Sequence, residues 1–178
     1  MPRRVKKGIA SLLLCLPLIA LIPAYPALAV RWFNLREPTF LVPLGAAGPI
    51  QIRQDPYGSG LFGARRNRGR VHQGLDLVAP VGTAVLAAKS GVAMIGRKRD
   101  GMGRYVEIRH PDGWITRYGH LKEILIRDRR RIRRGDVVGT VGKSGNARSR
   151  LIQPHLHFEV WRRGKAPIDP LEVLGQTS

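Results

Sequence analysis

The stretch PHLHFEVW, residues 154–161, places His155 and His157 one residue apart in a run that otherwise reads as a strand. In an extended chain, side chains at i and i+2 point to one face about 7 Å apart, so these two imidazoles share one small volume. A second spacing matches it. His72 precedes Asp76 by four residues in VHQGLDL, which on a strand puts both on one face and Leu75 and Leu77 on the other. A catalytic zinc site uses three N or O ligands and keeps a fourth position for water. His72, Asp76 and one histidine of the His155/His157 pair supply such a set. His120, in RYGHL, ends a predicted strand whose alternation places Trp114, Tyr118 and His120 together, within reach of the same cavity. If one ion takes two of the four histidines, two remain for proton handling. Amide hydrolysis needs such groups, one to accept a proton from water and one to support the oxyanion or protonate the leaving amine. Imidazole suits both tasks because it titrates near neutrality. His110 opens the turn HPDG and is read as structural.

Thiolates cannot contribute. The lone cysteine, Cys15, lies in the N-terminal segment MPRRVKKGIASLLLCLPLIALIPAYPALAV, which has a basic start, an apolar stretch and an Ala-x-Ala ending. This pattern predicts an export signal over residues 1–29, cleaved after Ala29. An uncleaved membrane anchor is the alternative, because an apolar run of about twenty residues can span a bilayer. Either way the remainder is extracytoplasmic: periplasmic, envelope-bound or secreted. Residues 30–48 then read as a connector rich in proline, and 49–178 as one domain.

The formal charge of +19 falls to +15 when the leader's four basic residues are set aside. An exported chain of this charge meets anionic wall polymers and lipid headgroups before nucleic acid, so no nucleic-acid partner is expected. Six arginines crowd into RDRRRIRRG, residues 127–135, which reads as an exposed loop or hairpin tip able to face such polymers or a membrane surface.

The elements that must position the histidines are short. Runs such as LDLVAPVGTAVLAA, GVAMIG, RYVEIRH, WITRYGHL, DVVGTVG and HLHFEVW, punctuated by glycine, predict an all-β domain without a helix of useful length. HPDG closes a hairpin between RYVEI and WITRY, and Asp169 followed by Pro170 starts a short C-terminal helix. The segments GTAVLAAKSGVAMIG and GDVVGTVGKSG share a strand, glycine-turn, strand rhythm that suggests duplication.

The motifs HQGLD, YGHL and HLHFEV, in this order and with VGTAV and GDVVGTVGKSG between, resemble the M23 family of zinc metallopeptidases, the lysostaphin/LytM-type cell-wall endopeptidases. The resemblance covers about residues 50 to 174. It implies an antiparallel β fold of the duplicated-hybrid-motif type with the site in a groove on the sheet. It further implies one Zn2+ held by His72, Asp76 and His157, with His120 and His155 as the catalytic histidines. Peptidoglycan stem peptides or cross-links are the implied substrate. Some members of the family have lost ligands and act as wall-binding adaptors that activate other hydrolases; here every motif position is filled. The loop carrying Phe62, Gly63 and Arg65 resembles the family's F-G-x-R lead but is unusually basic, as is NARSRLIQ before Pro154. Arg65 is a candidate for binding a substrate carboxylate and Tyr118 for donating to the oxyanion. Glu159, on the histidine face of its strand, is a candidate for orienting a ligand ring.

Overall fold

The computed structural model describes residues 25–45, 49–66 and 69–174. The chain divides into two compact units, Met1–Pro38 and Thr39–Ser178. In the first, helix α1 spans Tyr25–Arg36, within the segment read as leader and connector and outside the domain expected to be all-β. Its sequence YPALAVRWFNLR is rich in good helix formers, and Pro26 sits in the first turn, where the missing N–H costs nothing. As the tail of an apolar leader, the segment concealed that propensity. None of its residues is buried, Tyr25, Leu28, Trp32 and Leu35 are exposed, and the Arg36 guanidinium lies 4.7 Å from the Trp32 ring centre. The helix runs through Ala29, the expected cleavage site; residues 1–24 of the expected leader lie outside the described residues. Among the described residues no helix is long and apolar enough to cross a membrane.

The second unit is built from strands paired antiparallel throughout. A two-stranded ribbon, β1 (Gln54–Asp55) and β2 (Gly58–Ser59), precedes β3 (Leu75–Val78). Then follow β4 (Ala84–Leu86), β5 (Gly91–Arg97), β6 (Arg104–Arg109), β7 (Trp114–Gly119), β8 (Glu123–Ile124), β9 (Arg131–Ile132), β10 (Val137–Thr140), β11 (His155–Arg162) and β12 (Pro167–Ile168). The main sheet runs β12-β11-β7-β6-β5-β9, with β3 also on β11, and a smaller one runs β4-β10-β8. The two repeat-like segments therefore meet, Val85 of one opposite Gly139 of the other. The expected C-terminal helix is a 3-10 turn, Pro170–Glu172, whose Leu171 N–H donates to the Asp169 side chain at 3.0 Å. The compact unit begins inside the stretch read as a connector. Phe40 is buried and Val42 and Leu44 pack on the core, anchored by hydrogen bonds from Leu41 N to Ala88 O and from Leu86 N to Pro43 O.

Strand β11 organises the fold because both of its faces are covered. Leu156, Phe158 and Val160 point into the core with Leu75, Leu77, Val106 and Ile108, while His155, His157 and Glu159 occupy the opposite face and are also buried. One edge of β11 pairs with β7, and the other carries β3 beside His155–Phe158 and β12 beside Val160–Trp161. Tyr118, expected to face substrate, sits opposite Phe158 and shares its core side. Its hydroxyl accepts from Ala88 N at 2.8 Å and from the Thr116 hydroxyl at 2.9 Å. It is fully buried, and burial pushes its pKa up to about 12, so it neither lines a groove nor donates to a reaction there. Tyr118→Phe leaves the buried Ala88 N–H without its acceptor. We expect a loss of about 1–3 kcal/mol in a denaturant titration, with the native fold and metal content retained.

Candidate metal centre

His72 lies before β3 rather than on it, so its approach to Asp76 comes from a folded-back loop and not from strand periodicity. Its backbone N–H donates to Ala64 O and its carbonyl accepts from Gly63 N, both at 2.9 Å, while Arg65 and Val71 form a bridge across the loop. Between ligand and ligand stands Gly74. A Cβ there would lie 2.4 Å from Phe158 O and 3.0 Å from His157 Cε1, so only glycine lets this segment cross β11 so closely. On β3, Asp76 is directly opposite His157.

Three ligand atoms converge. Asp76 Oδ1 lies 3.0 Å from His72 Nε2 and 2.8 Å from His157 Nδ1, and these two nitrogens are 3.0 Å apart. Tetrahedral bonds of about 2.0–2.1 Å separate ligand atoms by roughly 3.3 Å, so a small closing ion fits with little movement. The lone pairs are set by what binds the other side of each ring. His72 Nδ1–H donates to Leu61 O at 2.8 Å, and His157 Nε2–H donates to Glu159 Oε1 at 2.9 Å, since neither oxygen can itself donate. Glu159 Oε2 is in turn held by Trp161 Nε1 at 2.6 Å and Arg117 Nη1 at 3.3 Å. Two imidazoles and one carboxylate, each oriented from behind, suit a divalent transition ion.

The remaining histidines follow the same rule. His155 Nδ1–H donates to Gln153 O at 2.6 Å, turning its Nε2 toward Asp76 Oδ1, 3.7 Å away. His120 Nδ1–H donates to Ser144 O at 2.9 Å, and its ring centre is 5.0 Å from that of His155 and 5.6 Å from that of His157. Strand alternation placed His120 with Tyr118; its left-handed backbone, φ 61°, breaks the alternation just past β7 and delivers the ring to the site instead. His110, set aside from the sequence, is buried with its ring between Ser90 O and Thr116 Oγ1.

Electrostatics separate the histidines. Burial opposes charge on His157, but hydrogen bonds to Asp76 and Glu159 outweigh it and raise its pKa to about 9. Burial, then the neighbouring His157 and His155, lower His120 to about 3, and burial also lowers His155. Asp76 is held well below the usual carboxylate range: its burial is overcome by the His157 and His72 rings beside it. Two contributors carried no motif. Arg53 Nε donates to Asp76 Oδ2 at 3.0 Å, and Arg66 Nη2 lies 3.4 Å from the same oxygen. The centre opens into a cleft of about 710 Å³ edged by Tyr57, Arg65, Arg70, Met102, Asn146 and Ile152. Arg65 is thus at the rim, exposed.

Residues 70–170 match the sequence profile of peptidase family M23. The chain belongs to peptidase family M23. Its relatives include the peptidoglycan DD-endopeptidase ShyC of Vibrio cholerae, 41% identical over 90 residues, covering 51% of this chain and 20% of ShyC. Another is the cell division protein DipM of Caulobacter vibrioides, 36% identical over 119 residues, covering 64% of this chain and 19% of DipM. Among solved structures, a zinc-containing peptidase from Vibrio cholerae superposes with a TM-score of 0.58 at 32% identity, over 73% of this chain and 38% of that one. The catalytic domain of lysostaphin from Staphylococcus simulans gives a TM-score of 0.57 at 26% identity, over 70% of this chain and 93% of the domain. This M23 chain spans about a fifth of the length of ShyC and DipM. The antiparallel fold implied by the sequence motifs is the fold observed.

An ion entering this M23 centre takes the place of the proton on His157. Calorimetric titration with Zn2+ at pH 7.5 in buffers of different ionisation heat should show about one proton released per ion. The release should fade as the pH rises through about 9, where His157 is already bare. His157→Ala should abolish stoichiometric binding.

Proposed function

We propose that this chain is an exported zinc metalloendopeptidase that hydrolyses stem peptides or peptide cross-links of peptidoglycan. The reading is carried by one observation: a His72–Asp76–His157 triangle is complete, and two further imidazoles turn their unprotonated nitrogens toward the same cleft. A bound zinc ion supplies Lewis acidity and lowers the pKa of water toward neutrality. His72, Asp76 and His157 hold it, and Glu159 fixes the His157 ring from behind. His120 and His155 are neutral at physiological pH, and each has its Nδ1–H committed to a backbone carbonyl. Each can therefore accept a proton at Nε2 and return it to the leaving amine, or donate to a developing oxyanion once protonated. Arg65 and Arg70 at the rim suit a substrate bearing carboxylates, as stem peptides do. The naming of ShyC as a DD-endopeptidase supports the same class of bond. A filled ligand set and two spare imidazoles favour catalysis over the wall-binding adaptor reading.

The test is digestion of purified sacculi, with muropeptides read by mass spectrometry. The wild-type chain should release cross-link or stem-peptide products, and a chelator should stop it. His120→Ala and His155→Ala should each lose at least about 10²-fold in rate while retaining one zinc per chain. Equal digestion by all variants, or zinc-loaded wild type with no products and a hydrolase captured instead, would falsify the enzymatic reading.

A further inference from the structure

The two oxygens of Asp76 have different surroundings. Oδ1 faces the nitrogens of His72, His155 and His157, whereas Oδ2 is turned to Arg53 Nε at 3.0 Å and Arg66 Nη2 at 3.4 Å. Arg53 is itself buried, at 4% exposure, between two carboxylates; its Nη1 donates to Asp55 Oδ1 at 2.5 Å. Asp55 then reaches the segment that leads into β11. Its Oδ2 accepts from Gln153 N at 3.1 Å, and the Gln153 carbonyl is the group that holds the His155 ring at 2.6 Å. The backbone reinforces the arrangement, with Arg53 N donating to Asp76 O at 2.9 Å and Asp76 N to Gly60 O at 2.8 Å.

We propose that Arg53 is the positioning residue of the metal centre: it holds Asp76 as a one-oxygen ligand and, through Asp55 and the Gln153 backbone, couples that ligand to His155. The inference rests on the metallopeptidase reading for the role of His155, but its first half concerns the ligand alone. A carboxylate with both oxygens free can swing to grip an ion with both, adding a fifth ligand atom and filling the position a substrate or water needs. The guanidinium prevents this by occupying Oδ2. It also withdraws charge from the carboxylate, which leaves a bound ion more electrophilic. A lysine keeps the charge but not the fork, so it cannot bind Asp76 and Asp55 together in this geometry. Arg66, bonded also to Ser59 O at 2.7 Å and partly exposed, is the lesser partner.

The test uses the full chain and two probes, Zn2+ in competition with a chromophoric chelator and Co2+ read by its visible absorption. Arg53→Lys should change zinc affinity by at least about 10-fold. Its cobalt bands should lose intensity as the ion moves from four to five ligand atoms, and sacculus digestion should fall with them. If Arg53→Lys does not fold, Asp55→Asn, which removes the second carboxylate at constant volume, should give the same spectral change in smaller measure. A folded variant of either kind with an unchanged cobalt spectrum and zinc affinity within about twofold of wild type overturns the proposal; purely structural damage gives that pattern with a lowered melting temperature. A wild-type chain that binds cobalt in the four-coordinate manner, responds to Arg53→Lys and yet leaves sacculi intact refutes the peptidase reading and supports this one. A wild-type chain that binds neither ion overturns both.

Discussion

Each of the four imidazoles in this cleft has one nitrogen committed to an oxygen that can only accept: Leu61 O, Ser144 O, Gln153 O and Glu159 Oε1. That constraint governs the rest. It fixes the neutral tautomer of each ring, so that the inward nitrogen is the one that carries the lone pair, on His157 once its inward proton has left. Three of the four acceptors are backbone carbonyls, so the site's chemistry depends on where loops run as much as on which residues they carry. The backbone at Leu61, the turn at Ser144 and the approach to β11 at Gln153 all serve as fixtures. The glycines at the crossings are part of that fixture. Gly74 lets a chain pass over β11, and Gly145, at φ 64°, packs where a Cβ would meet Gly101 O at 2.3 Å beside the Ser144 turn.

The centre also balances charge in a strongly basic protein. Buried Asp76, Asp55 and Glu159 are matched by Arg53, Arg66 and Arg117, each guanidinium within hydrogen-bonding reach of a carboxylate it faces. Burying unpaired ions would cost several kcal/mol each, so these pairs are conditions for closing the site rather than surplus stability. The six arginines of residues 127–134 are different, being solvent-exposed around β9 at the edge of the main sheet.

Much of the centre was legible because strand alternation is strict where a strand is buried on both faces. His155, His157 and Glu159 had to share a face, and Asp76 had to oppose Leu75 and Leu77. Spacing alone could not say which histidine of the pair lies nearer Asp76; the β3 register sets Asp76 against His157, which completes a group able to hold an ion. Alternation failed for Tyr118 and His120, since a single left-handed residue reverses the parity that the sequence implied, and no periodicity reports a φ. Arg53 was invisible for another reason: its partner is 23 residues away and its type is common in a chain this basic. Helix α1 was masked by its setting, an apolar stretch that reads equally well as leader.

β11 is clasped along both edges, by β7 on one side and by β3 and β12 on the other. Slipping it by one residue would send Leu156 and Phe158 outward and drive both imidazoles into hydrocarbon. Over evolutionary time such a segment can accept exchanges of like for like but not a single-codon insertion or deletion, whereas the arginine-bearing loop around β9 has no such arithmetic to respect. Change in length across descendants of this sequence is thereby channelled to the rims, where exposed arginines edge the cleft.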